Sequence, residues 1–395
     1  MQKKTVKDED VYKKRVLVRV DFNVPMDPNG KIEDDTRIRA CLPTITYLID
    51  HRARIILCSH LGRPHGRVDE HLRLEPVARR LSELLRRPVE PLREAIGPDV
   101  ERAVSDMQDS DVVLLENLRF YPGEEENDPG FARELARLAD LVVNDAFGVS
   151  HRAHASVAGL AEYLPCVAGL LMEKEIEKLS SLLENPARPF AAVMGGAKVG
   201  EKIEILENII PTVDLILIGG GMGATFLKGR GYGVGISPVE PDKRELARTI
   251  MQKAGSRHVR ILLPQDVIVT EKLKTDALFR VVSAKQIPAN SVIADIGPLT
   301  ITEFTKELKN CRTVVWNGPL GVFEIPQFSD GTTSIATVLA GLNATTVICG
   351  GSTAEAVTQL GLADKMTHVS TGGGATLQFL SGKTLPGVAV LAEKE

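Results

Sequence analysis

Short, almost unbroken apolar runs alternate along the chain with longer stretches whose apolar positions recur every three or four residues. The runs fall at 16–20, 55–58, 112–115 and 141–143, and again at 191–194, 215–218, 314–316 and 347–349. A strand buried on both faces reads as such a run, because neither face meets water. The intervening periodicity predicts helices over residues 36–50, 75–86, 131–139, 170–183 and 199–210. Strand and helix in alternation is the pattern of βαβ units, so the predicted class is α/β, with parallel sheets carrying helices on both faces. Strand–glycine–helix units are expected to continue through Val369, with a less regular tail after Gly382. The polar segment 122–130 (Pro-Gly-Glu-Glu-Glu-Asn-Asp-Pro-Gly) predicts a loop with its acidic run in solvent.

The residues at the end of each run differ between the two halves. In the first, the runs lead into Asp21-Phe22-Asn23, Ser59-His60-Leu61-Gly62-Arg63, Glu116-Asn117-Leu118-Arg119 and Asn144-Asp145-Ala146-Phe147, the last shortly before His151-Arg152. In the second they lead into Gly195-Gly196-Ala197-Lys198, Gly219-Gly220-Gly221, Gly318 and Gly350-Gly351. Open parallel sheets bind ligands beyond the carboxyl ends of their strands. Two binding faces are therefore expected. One is suited to a small, highly charged molecule, the other to a ligand that needs close approach to backbone.

Length adds a domain count. A chain of 395 residues exceeds one ordinary core, so two domains are expected. The stretch 170–188, a helix rich in Glu and Lys that ends at Asn185-Pro186-Ala187-Arg188-Pro189, is the natural connector and hinge. The expected division is 1–169, then 170–188, then 189–380, with a tail over 381–395 packing back near the first domain. At 43% hydrophobic and 25% charged the composition is that of a globular protein. A net charge of −4 argues against general nucleic-acid binding. No apolar run reaches the roughly 20 residues of a membrane span, and the polar start carries no signal region, so a cytoplasmic location is expected. The five cysteines form no C-x-x-C pair and are expected to be buried thiols.

Candidate chemistry is positional. Asp21, Asn23, Arg37, His60, Arg63, Arg119 and Arg152 come from separate segments but stand at or face strand ends. Arginines grouped in this way recognise carboxylate and phosphate oxygens bidentately. In the second half Lys198 and Lys202 share one helix face. Two cations at a helix N-terminus suit an anion better than they suit the helix dipole. Gly350-Gly351-Ser352-Thr353 opens another helix, where amides can hold a phosphate. Single glycine clusters serve tight turns equally well. The Walker pattern is absent, since Leu377 stands where Gly382-Lys383-Thr384 would need its first glycine. Gly219-x-Gly221-x-x-Ala224 fits a relaxed dinucleotide fingerprint and keeps a nicotinamide-dependent dehydrogenase open. His151 and His154 lie three apart, without the further ligand spacing a zinc site needs.

Longer words then carry a resemblance. Arg19-Val20-Asp21-Phe22-Asn23-Val24-Pro25, Ser59-His60-Leu61-Gly62-Arg63-Pro64, Glu116-Asn117-Leu118-Arg119-Phe120, Asn144-Asp145-Ala146-Phe147, Gly195-Gly196-Ala197-Lys198-Val199, the stretch from Trp316 to Glu324, and Ser370-Thr371-Gly372-Gly373-Gly374-Ala375 are similar, in this order, to the motifs of phosphoglycerate kinases. The resemblance spans essentially the whole chain. It implies two Rossmann-like domains joined by an interdomain helix with a cleft between. It implies the glycolytic reaction, in which the acyl phosphate of 1,3-bisphosphoglycerate passes reversibly to ADP, giving 3-phosphoglycerate and ATP after domain closure. On the matching positions, Asp21, Phe22, Asn23, Arg37, His60, Leu61, Gly62, Arg63, Arg119 and Arg152 would hold phosphoglycerate. Lys202, Glu324, Gly350, Gly351, Ser352 and Thr353 would hold the nucleotide, with Glu324 at the ribose. Arg37 and Lys198 would act on the phosphoryl group in flight. Magnesium would arrive with ADP or ATP, and the protein would act as a monomer without nucleic-acid or membrane partners. One departure stands out: Ser352 replaces the aspartate that the family usually carries beside magnesium. A non-catalytic nucleotide-binding or scaffolding protein is the reading that departure would favour.

Overall fold

A computed structural model describes residues 2–196, 199–240 and 243–394. The chain forms two compact units. One comprises the residues up to Glu177 together with the segment from Thr384, and the other runs from Lys178 to Lys383. The division falls inside the helix Leu170–Glu184.

The first unit is built on six strands: β1 (Arg15–Arg19), β2 (Arg54–Cys58), β3 (Glu90–Pro91), β4 (Val112–Leu114), β5 (Leu141–Asn144) and β6 (Cys166–Ala168). They are all parallel and lie in the order β3-β4-β2-β1-β5-β6. The chain works outward from β1 to one edge, then returns to β5 on its other side. That reversal makes a crevice at the carboxyl ends of β1 and β5, where sheets of this kind take ligands. Arg19 is in register with Cys58 on one side and Asn144 on the other, so the loops after these three strands emerge at one level. The helix Thr36–Asp50 packs Ile38, Ile45 and Leu48 against this sheet, and Glu75–Leu85 adds Val77, Ala78 and Leu81.

The second unit repeats the scheme with β7 (Phe190–Met194), β8 (Leu215–Ile218), β9 (Arg260–Leu262), β13 (Thr313–Asn317), β14 (Thr345–Cys349) and β15 (His368–Val369), in the parallel order β15-β14-β13-β7-β8-β9. Its reversal lies between β7 and β13, which places Gly195-Gly196 and Gly318 at the crevice. Trp316, Phe304 and Leu320 lie in the core of this unit.

Two expectations need correction. The second half does not continue as strand–glycine–helix units throughout. β10 (Asp266–Thr270), β11 (Phe279–Ser283) and β12 (Val292–Ile296) form a separate antiparallel sheet. In the segment 122–130, Glu125 and Glu126 are exposed as expected, but the segment is partly helical and Glu124 turns inward. Pro122 and Pro129 each start a helical turn (Pro122–Glu125 and Pro129–Ala136), since a proline at the first helical position gives up an amide the helix leaves unpaired anyway. Glu124 is fully buried and accepts from the Ser156 amide and hydroxyl at 2.9 and 2.6 Å. All five cysteines are buried and outside any disulfide. Among the described residues no helix is long and apolar enough to cross a membrane.

Asp145 ties the loop after β5 to the helix Leu170–Glu184, its Oδ1 accepting from the Leu171 and Met172 amides at 2.9 and 3.2 Å. Burial raises its carboxyl from 3.8 to about 6, against the opposing effect of the Thr44 hydroxyl and those two amides. The folded chain therefore binds this proton more tightly than the unfolded chain. The contribution to stability is complete below about pH 4 and is lost as pH rises through about 6. An asparagine at this position would keep the accepting oxygen without the charge. In thermal unfolding the melting temperature of Asp145→Asn minus that of the wild type should rise between pH 4 and 6 and level off above. A difference that does not change with pH would contradict this account.

Candidate functional site

The loops above β1, β2, β4 and β5 interlock. Asn23 Oδ1 accepts from the Gly62 amide at 2.9 Å, and Ser59 Oγ from the Phe22 amide at 2.9 Å. Asn117 receives the Leu61 and Arg119 amides on its carbonyl and donates to the Leu61 and Leu72 carbonyls. Upon this frame the cations gather. Arg37 pairs with Asp21 at 2.7 Å, and Arg119, only 4% exposed, donates to the Gly62 carbonyl at 2.8 Å and faces Glu125 at 3.1 Å. Arg152 donates to His151 Nε2 at 3.3 Å. His60 is held well below its usual value by burial first, then by Arg19, Arg119, Arg37 and Arg152, so its ring is neutral. Burial, with Arg152 and Arg19 close by, pulls Arg119 down as well, against Glu125. A buried cation with further guanidinium groups close by is stabilised by an arriving anion.

The structure thus brings together Asp21, Asn23, Arg37, His60, Gly62, Arg119 and Arg152. Arg63 is exposed at the end of the His60 loop. Phe22 and Leu61 join the core, which leaves only their backbone for a ligand. His151 and His154 do not make a metal pair. Burial comes first in lowering both, to about 4 for His154, and guanidinium neighbours that lower them further would repel a metal cation.

In the second unit the glycine-rich ends line a cleft of about 610 Å³, within the usual size of a small-molecule site. Lys202 is only 8% exposed, and its Nζ donates to the Gly195 carbonyl at 2.5 Å and the Asn317 carbonyl at 3.4 Å. Gly318 has φ +96°, and a Cβ there would run into the Gly195 carbonyl and Lys202 Nζ, so this turn needs glycine. Gly350 caps the helix Gly351–Gln359 with φ 84°, which leaves Ser352 exposed at its first turn and Thr353 buried beneath. The Thr353 hydroxyl accepts from the Gly318 amide at 2.6 Å and so joins two cleft walls. Glu324 is exposed on the rim. Lys198 lies outside the described residues.

The model of the family described as phosphoglycerate kinase matches residues 6–383. The chain belongs to the phosphoglycerate kinase family. Over the full length of both chains it is 57% identical to the phosphoglycerate kinase of Pelotomaculum thermopropionicum (394 residues) and 55% identical to that of Dictyoglomus turgidum (398 residues). Among solved structures it resembles phosphoglycerate kinase from Coxiella burnetii (TM-score 0.88, 41% identity) and from Pyrococcus horikoshii (TM-score 0.85, 32% identity), with 98% of each chain covered. The dinucleotide-like glycines fit that membership without a nicotinamide. Gly220–Gly229 is the helix they open, and Gly220 and Gly221 line the same cleft as Lys202.

Some site features escape the sequence. Ile293, Ala294 and Val322 give the cleft an apolar wall. Apolar residues in a strand carry no mark of a ligand face, and two of these sit on the antiparallel sheet that the sequence pattern does not reveal. Asn317 is not singled out by the motifs either. Its Nδ2 is buried, with no hydrogen-bond partner among the described residues, and the residue lines the cleft. A buried amide in that state is a waiting donor. The signal is present in the sequence, since Asn317 ends a strand immediately before Gly318.

Proposed function

We propose that the protein is a phosphoglycerate kinase in activity as well as in family. It transfers the acyl phosphate of 1,3-bisphosphoglycerate reversibly to ADP in glycolysis. The observation that carries this reading is the pairing of two unlike anion sites, a crowded arginine basin in one unit and a glycine-lined cleft with a buried lysine in the other. The basin residues Asp21, Asn23, Arg37, His60, Gly62, Arg63, Arg119 and Arg152 would hold phosphoglycerate. The cleft would hold the nucleotide, with its base against Ile293, Ala294 and Val322, its ribose at Glu324, and its phosphates at Lys202, Asn317 and the amides from Gly350 to Thr353.

Phosphoryl transfer asks the protein for alignment and charge neutralisation rather than covalent chemistry. A carboxylate is already a good leaving group, so no general base is needed. Arg37 and Lys198 are the cations proposed to meet the equatorial oxygens in flight. The reading includes a closing motion that brings donor and acceptor in line, because water would otherwise compete for the phosphoryl group. Magnesium carried on the nucleotide supplies further neutralisation. On this reading the metal arrives with its nucleotide, and the exposed helix start at Ser352 would face it. Ser352, exposed at the helix start, can hold one of its waters. Ser352→Asp should therefore tighten Mg–ADP binding several-fold and steepen its dependence on magnesium. Calorimetric titration at graded magnesium checks this, and unchanged affinity would remove Ser352 from the metal's surroundings.

The activity is tested by mixing the purified protein with 3-phosphoglycerate and Mg–ATP and tracking the acyl phosphate through its NADH-dependent reduction by a coupling enzyme. NADH should be consumed only when all components are present. Absence of turnover would overturn the proposal. Consumption without ATP would favour a dehydrogenase.

A further inference from the structure

Arg19 ends β1 and is fully buried beneath the basin. Its donors are met from several directions. Nε donates to Ser156 Oγ at 2.8 Å, Nη1 bonds the Val20 carbonyl, and Nη2 lies 3.3 Å from His60 Nδ1. The buried Glu124 carboxylate stands 4.0 Å away. Ser156 relays the arrangement, accepting from Arg19 while its hydroxyl donates to Glu124 Oε1 at 2.6 Å.

A guanidinium has five donors and no acceptor. The contact between Arg19 Nη2 and His60 Nδ1 therefore has a single polarity: the ring nitrogen must offer its lone pair. The ring proton then sits on Nε2, on the far side of the imidazole from Arg19. A second proton on Nδ1 would face a donor and would add positive charge beside Arg19, Arg37, Arg119 and Arg152. Glu124 is the carboxylate that approaches this network, and it is already engaged by Ser156 and Arg19, with His154 Nδ1 at 3.8 Å.

We propose that Arg19 is a positioning residue that locks His60 as its Nε2–H tautomer, so that the ring meets the acidic ligand as an uncharged hydrogen-bond donor while guanidinium groups supply the charge. The tautomer is dictated by Arg19 alone. Its use rests on the phosphoglycerate reading of the basin.

The test is a long-range proton–nitrogen correlation spectrum of 15N-histidine-labelled protein between pH 5 and 8. His60 should show one proton, on Nε2, and no titration over this range. A proton on Nδ1, or titration near the ordinary value of about 6.5, would overturn the lock. Arg19→Met alone strands a buried Glu124 and risks misfolding, so the working variant is Arg19→Met with Glu124→Gln, which removes both charges together. In that folded variant His60 should become a tautomer mixture while staying neutral, because burial and the Arg119, Arg37 and Arg152 guanidinium groups remain. Its KM for 3-phosphoglycerate should rise about tenfold, the scale of one good hydrogen bond to a charged group, with the nucleotide KM unmoved. A pure Nε2–H ring in the variant would take the role away from Arg19. If the wild-type lock is present but 3-phosphoglycerate leaves the His60 resonances unmoved, the lock stands and the basin reading fails.

Discussion

Lys202→Met is expected to weaken ADP binding at least 30-fold while leaving 3-phosphoglycerate binding unchanged. Lys202 is a nearly buried cation, and its ammonium is fixed by the carbonyls of Gly195 and Asn317, at the ends of β7 and β13 where the sheet reverses. Methionine keeps much of the stem's volume, so the cleft should not collapse. What is lost is a desolvated charge, together with the donors that satisfied two carbonyls. Removing one member of a buried hydrogen-bonded charge pair costs about 2–5 kcal/mol, and the lower end already gives that factor. Calorimetry with each ligand separately measures it. An equal loss for both ligands would point to general damage, and no loss for ADP would take the phosphates away from Lys202.

Arg119→Met should produce the converse defect. The guanidinium is almost wholly buried, is aimed by its bond to the Gly62 carbonyl, and shares the basin with Arg37 and Arg152. A charge-assisted hydrogen bond contributes about 1.5–3 kcal/mol, so affinity for 3-phosphoglycerate should fall roughly 10- to 150-fold. Glu125, left without its partner, adds local repulsion toward the acid and pushes the effect to the upper end. ADP affinity should not change. A loss confined to ADP would reverse the assignment of ligands to units.

Much of the scaffold is legible because parallel strands buried on both faces cannot hide. The runs at 16–20, 55–58 and 215–218 lie within a residue of the strands observed, and the side chains just beyond them are the ones the crevice collects. Each hidden feature has a physical reason. Arg19 sits in an apolar run, and nothing local tells a buried arginine from a strand residue that reaches solvent. Its neutralising partner Glu124 is more than 100 positions away, in an acidic triplet whose other members give no hint that one turns inward. β11 is mostly exposed at a sheet edge, so its pattern lacks the continuous apolar signature. Lys202 is marked by its spacing from Lys198, but only the fold shows it anchored by two carbonyls.

The claim on which the rest depends is that each unit holds its own anionic ligand. Backbone amide shifts recorded during titration with 3-phosphoglycerate alone, and then with ADP alone, test it most directly. The first ligand should move Asn23, Gly62, Arg119 and Arg152. The second should move Gly318 and Gly350 to Thr353. Should 3-phosphoglycerate instead move the Gly350–Thr353 amides and leave those around Arg119 still, the account is contradicted.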